Sequence, residues 1–461
     1  MTMKSQPVAN HTPEDRGVPN TTRGLIKDPS RQLRNGYLTK TPLFQYILLS
    51  ICFPMWGAAA SLNDVLIAQF KHIFTLSDVA TAFVQSAFYG GYFVIAIPAS
   101  RVIRRFSYKA GLLIGLTIYI LGCLLFFPAS QAATYSVFLA SLFAVAVGLS
   151  FLETSANTYS SMIGPKKTAT LRLNISQTFT PLGFFSGALL GKYLIFTEGA
   201  SLEDQLEGLD PVAAQRLTEE LLQRTLEPYR WILTVLIVLV LLIAITQYPS
   251  SKPLDSTNHE KAAGLGETLG YLFKKKEFLS GIFAQFMYVG LQTALWSFTI
   301  RLALTLDDSI NERTATNYLL WAYVAFFVGK FVANLLITKI NEDLVLIIYS
   351  LIGVVALAYV VAVPNFTAVW AAVLASGLLG PGWATIYART LDTIEDKRYT
   401  ETGGAVIVMA IIGGAVIPVI QGLISDLTGS MSFSFIINIV CFAVMALYFW
   451  GLYRSSRKVR A

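Results

Sequence analysis

Asp64 and Glu153 lie deep inside long apolar stretches, Asp64 within WGAAASLNDVLIAQF and Glu153 within GLSFLETSANTYSSMIG. A charge at the middle of a bilayer costs at least ~2.5–3.5 kcal/mol on insertion scales. A carboxylate in such a place can bind a proton, accept hydrogen bonds from ligand hydroxyls, or do both. The competing role is a structural hydrogen bond to a neighbouring helix. Polar and aromatic side chains surround both positions. Ser61 and Asn63 precede Asp64, and Asn157 lies four residues after Glu153. RLNISQTFT places Asn174 and Gln177 three apart on nearly one helical face, followed by Thr180, and MYVGLQTALWSF places Gln292 and Trp296 four apart on one face. Amides and an indole beside carboxylates suit a polyhydroxylated ligand, with hydroxyls bonded by the polar atoms and a sugar ring laid on the indole. Each of them alone could equally join two helices.

The elements that position these residues are membrane helices. The chain has 461 residues, 54% hydrophobic and only 14% charged, where a soluble domain carries about a quarter. The apolar residues form blocks near the length needed to cross roughly 30 Å of hydrocarbon. Twelve blocks run approximately 43–69, 79–100, 109–128, 133–162, 172–196, 229–248, 277–303, 314–338, 343–363, 366–388, 402–424 and 430–453. The expected architecture is an all-α polytopic membrane protein of twelve transmembrane helices in two six-helix halves. The expected parts are a disordered cytoplasmic tail (1–40), an N-terminal bundle (41–250), a cytoplasmic linker (251–275), a C-terminal bundle (276–453) and a cytoplasmic tail (454–461). Two six-helix halves suggest a duplicated transporter with its site between them.

The net charge of +7 does not indicate nucleic acid, because the basic residues are scattered through short loops. Lys and Arg collect before the first block and after blocks 2, 4, 6, 10 and 12, which puts both termini in the cytoplasm and the protein in a cell membrane. The opposite loops are nearly neutral, and the long one at 197–228 is acidic. Arg301 and Arg389 are read as helix-boundary residues, and Lys330 as snorkelling to the headgroups. Cys52, Cys123 and Cys441 each lie in an apolar block and suggest neither a disulfide framework nor a metal site. His11, His72 and His259 are outside membrane depth, so a transported proton would ride on Asp64 or Glu153. GGAVIVMAIIGGAVIPVIQG is read either as a flexing gate or as close helix packing. No Ser/His/Asp set, metal cluster or phosphate loop points to an enzyme.

The stretches LNDVLIAQF, QSAFYGGYF, SYKAGLLIGL, LETSANTY, RLNISQTF, YVGLQTALWS and IIGGAVIPV together resemble the fucose permease family, proton-coupled sugar symporters of the major facilitator superfamily. The resemblance implies a twelve-helix bundle with a central sugar cavity and alternating access. It implies a proton as coupling ion, with no other cofactor, and a monosaccharide such as L-fucose as cargo. It matches Asp64 to the family's proton-linked aspartate and Glu153 to its glutamate at the sugar. Gln177, Gln292 and Trp296 fall on matching positions. Departures at Ala60-Ser61, Thr180 and Trp383, all expected to face the cavity, bear on which sugar is taken. A monomer in the lipid bilayer is expected. The alternatives are an exporter of another substrate class and a non-transporting sugar sensor.

Overall fold

A computed structural model describes residues 18–19, 24–27, 30–196, 209–251, 264–337, 339–395 and 399–460. His11 and His259 lie outside the described residues, as do the side chains of His72 and Asn174. Eleven helices among the described residues are long and apolar enough to cross a membrane. In chain order the spans are α1 (Leu43–Ser50 with Cys52–Ile73), α2 (Asp78–Arg105), α3 (Tyr108–Ala132), α4 (Tyr135–Met162), α5 (Ala169–Thr178 with Thr180–Leu190, closing in a π turn at Gly191–Ile195) and α6 (Pro211–Ile245). The second half holds α7 (Lys276–Leu306), α8 (Glu312–Ile337), α9 (Glu342–Ala362), α10 (Thr367–Gly377 with Gly382–Asp392), α11 (Thr400–Met409, Ala410–Ile412 and Gly413–Thr428) and α12 (Met431–Ser434 with Ile436–Arg460).

The twelfth crossing is α5. Its first part is polar, with Arg172, Ser176 and Gln177, and the helix divides at Phe179. Pro181 two residues later has no N–H to give the Gln177 carbonyl, and the backbone tightens there, Phe179 N–H donating to Ser176 O.

The two halves repeat one packing scheme. In the first, α1 packs on α5, α2 on α4 and α3 on α6; in the second, α7 packs on α11, α8 on α10 and α9 on α12. The echo extends to single glycines. A Cβ at Gly183 of α5 would overlap the Pro54 carbonyl of α1, and a Cβ at Gly413 of α11 would overlap the Phe286 carbonyl of α7. The glycines of α11 therefore serve close packing, with a short 3₁₀ turn at Ala410–Ile412 just before the contact.

Four boundaries differ from expectation. Residues 211–228 are the start of α6 and not part of a loop; residues 197–208 lie outside the described residues. Asp210 caps this extension by accepting from Ala213 N–H, and Leu221, Leu222 and Leu226 are buried beneath it. The linker contains a helix, Leu265–Leu272, held to the start of α11 where Tyr399 donates to Glu267. The C-terminal helix continues to Arg460 rather than stopping near 453. The first 40 residues are not wholly a disordered tail. Val18–Pro19 (β1) pairs antiparallel with Arg31–Gln32 (β2), Leu25 N–H bonds Ile245 O and Gln247 N–H bonds Ile26 O, and Ser250 bonds the Gln32 amide. Backbone groups left over at the end of α6 supply the partners that a polar tail needs in order to stay ordered.

Candidate functional site

α1, α3, α5, α7, α9 and α11 run away from the face that carries both termini, and the even-numbered helices return to it. Asp64 lies in the outer third of α1, nearer the distal face, and is 4% exposed. Its Oδ1 accepts from Gln85 Nε2 of α2 at 2.6 Å. Its Oδ2 accepts from the Tyr323 hydroxyl of α8 at 3.0 Å. One carboxylate thus joins the two halves. Ser61, one turn before it, sits beside the same Tyr323 hydroxyl. Asn63 lies about 100° around the helix from Asp64, so it does not share that face. It is wholly buried, and its amide makes no hydrogen bond with the protein.

Tyr323 also belongs to an aromatic cluster. Its ring lies edge-on to Trp296 at 4.9 Å and beside Phe184 of α5 at 5.4 Å, and Trp296 packs on Phe326 at 5.3 Å. The cluster covers Trp296, which is 3% exposed with its indole N–H unpartnered. Gln292, one turn closer to the terminal face, remains partly exposed.

Glu153 is partly exposed on α4 and faces the Tyr92 phenol of α2. Tyr387 of α10 lies within its electrostatic reach across the interface. Trp383 stacks on Tyr387 at 5.3 Å with their planes 10° apart. Tyr89, on the same stripe of α2 as Gln85 and Tyr92, is near enough to feel the charge of both Asp64 and Glu153. Nearby, Gln177 Nε2 donates to Asn157 Oδ1 at 2.7 Å, and the Thr180 hydroxyl lies 3.4 Å from Gln177 Oε1. Of the residues singled out from sequence, Asp64, Ser61 and Trp296 gather around Tyr323; Asn157, Gln177 and Thr180 are linked through the Gln177 amide; and Trp383 meets the surroundings of Glu153 through Tyr387. A small pocket inside the second half, bounded by Tyr288, Leu291, Ser350 and Phe442, holds none of them.

Gln85, Tyr89 and Tyr92 were not anticipated. Their spacing of four and three places them on one stripe of α2, so QSAFYGGYF did carry the signal. Tyr323 had none, because a single tyrosine in an apolar helix looks like packing.

The reading of Arg301 as a boundary residue is corrected. It is 3% exposed, because α7 continues to Leu306 and α2 of the other half covers it. Its guanidinium reaches Asp78 Oδ1 at 3.3 Å and the Thr81 hydroxyl at 3.1 Å, and lies over the Phe298 ring at 3.5 Å. Asp78 also accepts from Ser425 of α11 at 2.8 Å and from Lys71 at 2.8 Å. Asp426 accepts from the first two N–H groups of α2, at 3.0 and 2.9 Å. A carboxylate there complements the positive end of the helix. Lys192 bonds Asn317 across the same seam at 2.5 Å. These cross-half bonds lie toward the distal ends, so the distal side is closed, while Glu153, Asn157, Gln177 and Gln292 keep partial exposure on the terminal side. Arg389 does sit at a helix end, paired with Glu342 and Asp343 at 3.4 and 3.6 Å.

Twelve helices in two like halves, with polar groups gathered where the halves meet, define a transporter fold. The chain belongs to the Major Facilitator Superfamily, whose family profile matches residues 47–311. It is 33% identical over 414 residues to the L-fucose-proton symporter of Escherichia coli K12, covering 89% of this chain and 93% of that protein. It is 29% identical over 410 residues to a glucose/galactose transporter of Brucella abortus, covering 88% and 93%. The crystal structure of the superfamily transporter FucP in the outward conformation superposes with a TM-score of 0.68 at 34% identity, covering 88% of this chain and 98% of that one.

Proposed function

We propose that this chain is a proton-coupled symporter that imports L-fucose or a related monosaccharide by alternating access. The observation that carries the reading is the Asp64 carboxylate, buried between the halves toward their distal ends and hydrogen-bonded to both at once. A carrier coupled to protons needs a group whose charge state bears on whether the halves can close, and Asp64 is placed to be that group. The relatives named for L-fucose and for glucose or galactose support a monosaccharide as cargo. Glu153, Gln177, Asn157 and Gln292 would bond sugar hydroxyls from the open side, with Trp383 against the ring. Trp296, Ser61 and Thr180 would complete the site from its buried side.

Glu153 is expected to serve the sugar and feel pH together. Glu153→Gln keeps shape and part of the hydrogen bonding but cannot titrate. Fucose binding by the purified variant should be weaker by roughly tenfold, the scale of one hydrogen bond to a charged group, and flat with pH where wild-type binding varies. Equal affinity at every pH, with normal uptake, would reduce Glu153 to a structural role.

The basic loops argue that the terminal face is cytoplasmic. All three native cysteines are buried, so single introduced cysteines report cleanly. An impermeant thiol reagent applied to intact cells should label Ala133→Cys at the distal face and spare Gly264→Cys in the linker. The reverse pattern would overturn the orientation.

A further inference from the structure

The two hydrogen bonds to Asp64 are not equivalent. Gln85 lies on α2, in the same half as Asp64, and travels with it. Tyr323 lies on α8, in the other half, so its bond at 3.0 Å exists only while the distal ends are together. Arg301, also of the other half, bears on Asp64 with its positive charge from α7. Among the described residues, the other titratable side chain close to this carboxylate is Tyr89 of α2, which moves with Asp64. Distal closure therefore brings a hydroxyl donor and a cation to the carboxylate, and distal opening removes both.

Building on the symporter reading above, we propose that Tyr323 is the positioning residue that times proton release. Its hydroxyl reaches Asp64 on distal closure and, with Arg301, stabilises the anion. The O–H bond of the protonated carboxyl then breaks, the electron pair stays on the carboxylate, and the proton passes to water on the terminal side. The same contacts let the discharged carrier occupy the distal-closed state without an uncompensated buried charge. Proton release is thus tied to the conformation that has already turned away from the side of loading. The bond also explains why a tyrosine stands in the aromatic cluster around Trp296, where a phenylalanine would pack equally well.

The test is Tyr323→Phe in proteoliposomes with L-fucose, which keeps the ring contacts to Trp296 and Phe184. Counterflow at equal pH on both sides is expected to persist. Gradient-driven accumulation should fall about tenfold, the scale of one hydrogen bond to a charged group, and should return when the internal pH is raised by roughly one unit, which restores proton release. An internal-pH profile identical to wild type overturns the inference, as does counterflow that falls in step with accumulation, which would mark a packing role. Wild-type protein that moves sugar without regard to a proton gradient would overturn the symporter reading itself, and this inference with it. A wild type that accumulates beside an unaltered Tyr323→Phe would overturn only the role of Tyr323.

Discussion

In Asp64→Asn, accumulation of sugar driven by a pH gradient is expected to fall to background while counterflow persists. Removing water from a carboxylate penalises its charged form, and in this site Gln85 and Tyr323 offset part of that penalty. An asparagine carries no charge in any state, so it cannot carry a proton across or release one. The local hydrogen bonds survive the exchange. The new amide oxygen can accept from Tyr323, and Gln85 can turn its own amide so that its oxygen accepts from the new N–H₂. The neutral site closes as the protonated one does, which is why exchange without a gradient should continue. The two assays belong on the same vesicles. Wild-type accumulation in Asp64→Asn would show that the proton travels elsewhere, and loss of counterflow together with accumulation would show that the substitution damages the site itself.

Arg301→Met is expected to release the distal closure. Breaking a buried ion pair by removing one partner costs about 3–5 kcal/mol when the remaining charge is stranded. Here Asp78 is not stranded, because Lys71 and Ser425 still hold it. Methionine also keeps an apolar stem against Phe298. The expected cost is therefore nearer ~2 kcal/mol, about a thirtyfold shift toward the distal-open state. Spin labels at Ala133 and Ser309, in distal loops of opposite halves, would report it as growth of a long-distance population. Sugar release on the terminal side should slow in parallel. Superimposable distance distributions for wild type and Arg301→Met would mean that Asp426 on the α2 terminus and the aromatic cluster hold the distal side closed without the ion pair.

What the sequence made legible follows from what a membrane makes expensive. Asp64 and Glu153 stand out because a charge in hydrocarbon requires a reason, and the apolar blocks stand out because length and hydropathy define a span. The Gln85–Tyr89–Tyr92 stripe was available from spacing alone. Arg301 and Tyr323 were not, because their roles come from the other half: a helix-end arginine becomes a buried lock only when α2 arrives with Asp78. The extension of α6 was hidden for a different reason. Residues 211–228 carry charges on one side and Leu221, Leu222 and Leu226 on the other, a helical pattern that a search for uniformly apolar blocks passes over.

The contact between the N-terminal segment and the end of α6 sets an order of events during synthesis. Leu25 and Ile26 leave the ribosome well ahead of their backbone partners, Ile245 and Gln247. At about 5–20 residues per second, the early segment waits roughly 10–40 s for its partners. When α6 emerges, the segment holding Leu25 and Ile26 can fasten to the close of the first bundle before any of α7 exists. The first half is then a finished assembly unit, and the second is built against it. The two halves expressed as separate polypeptides, divided within the 252–263 linker, should therefore reassemble in one membrane, and a first half shortened by its leading 30 residues should do so less efficiently.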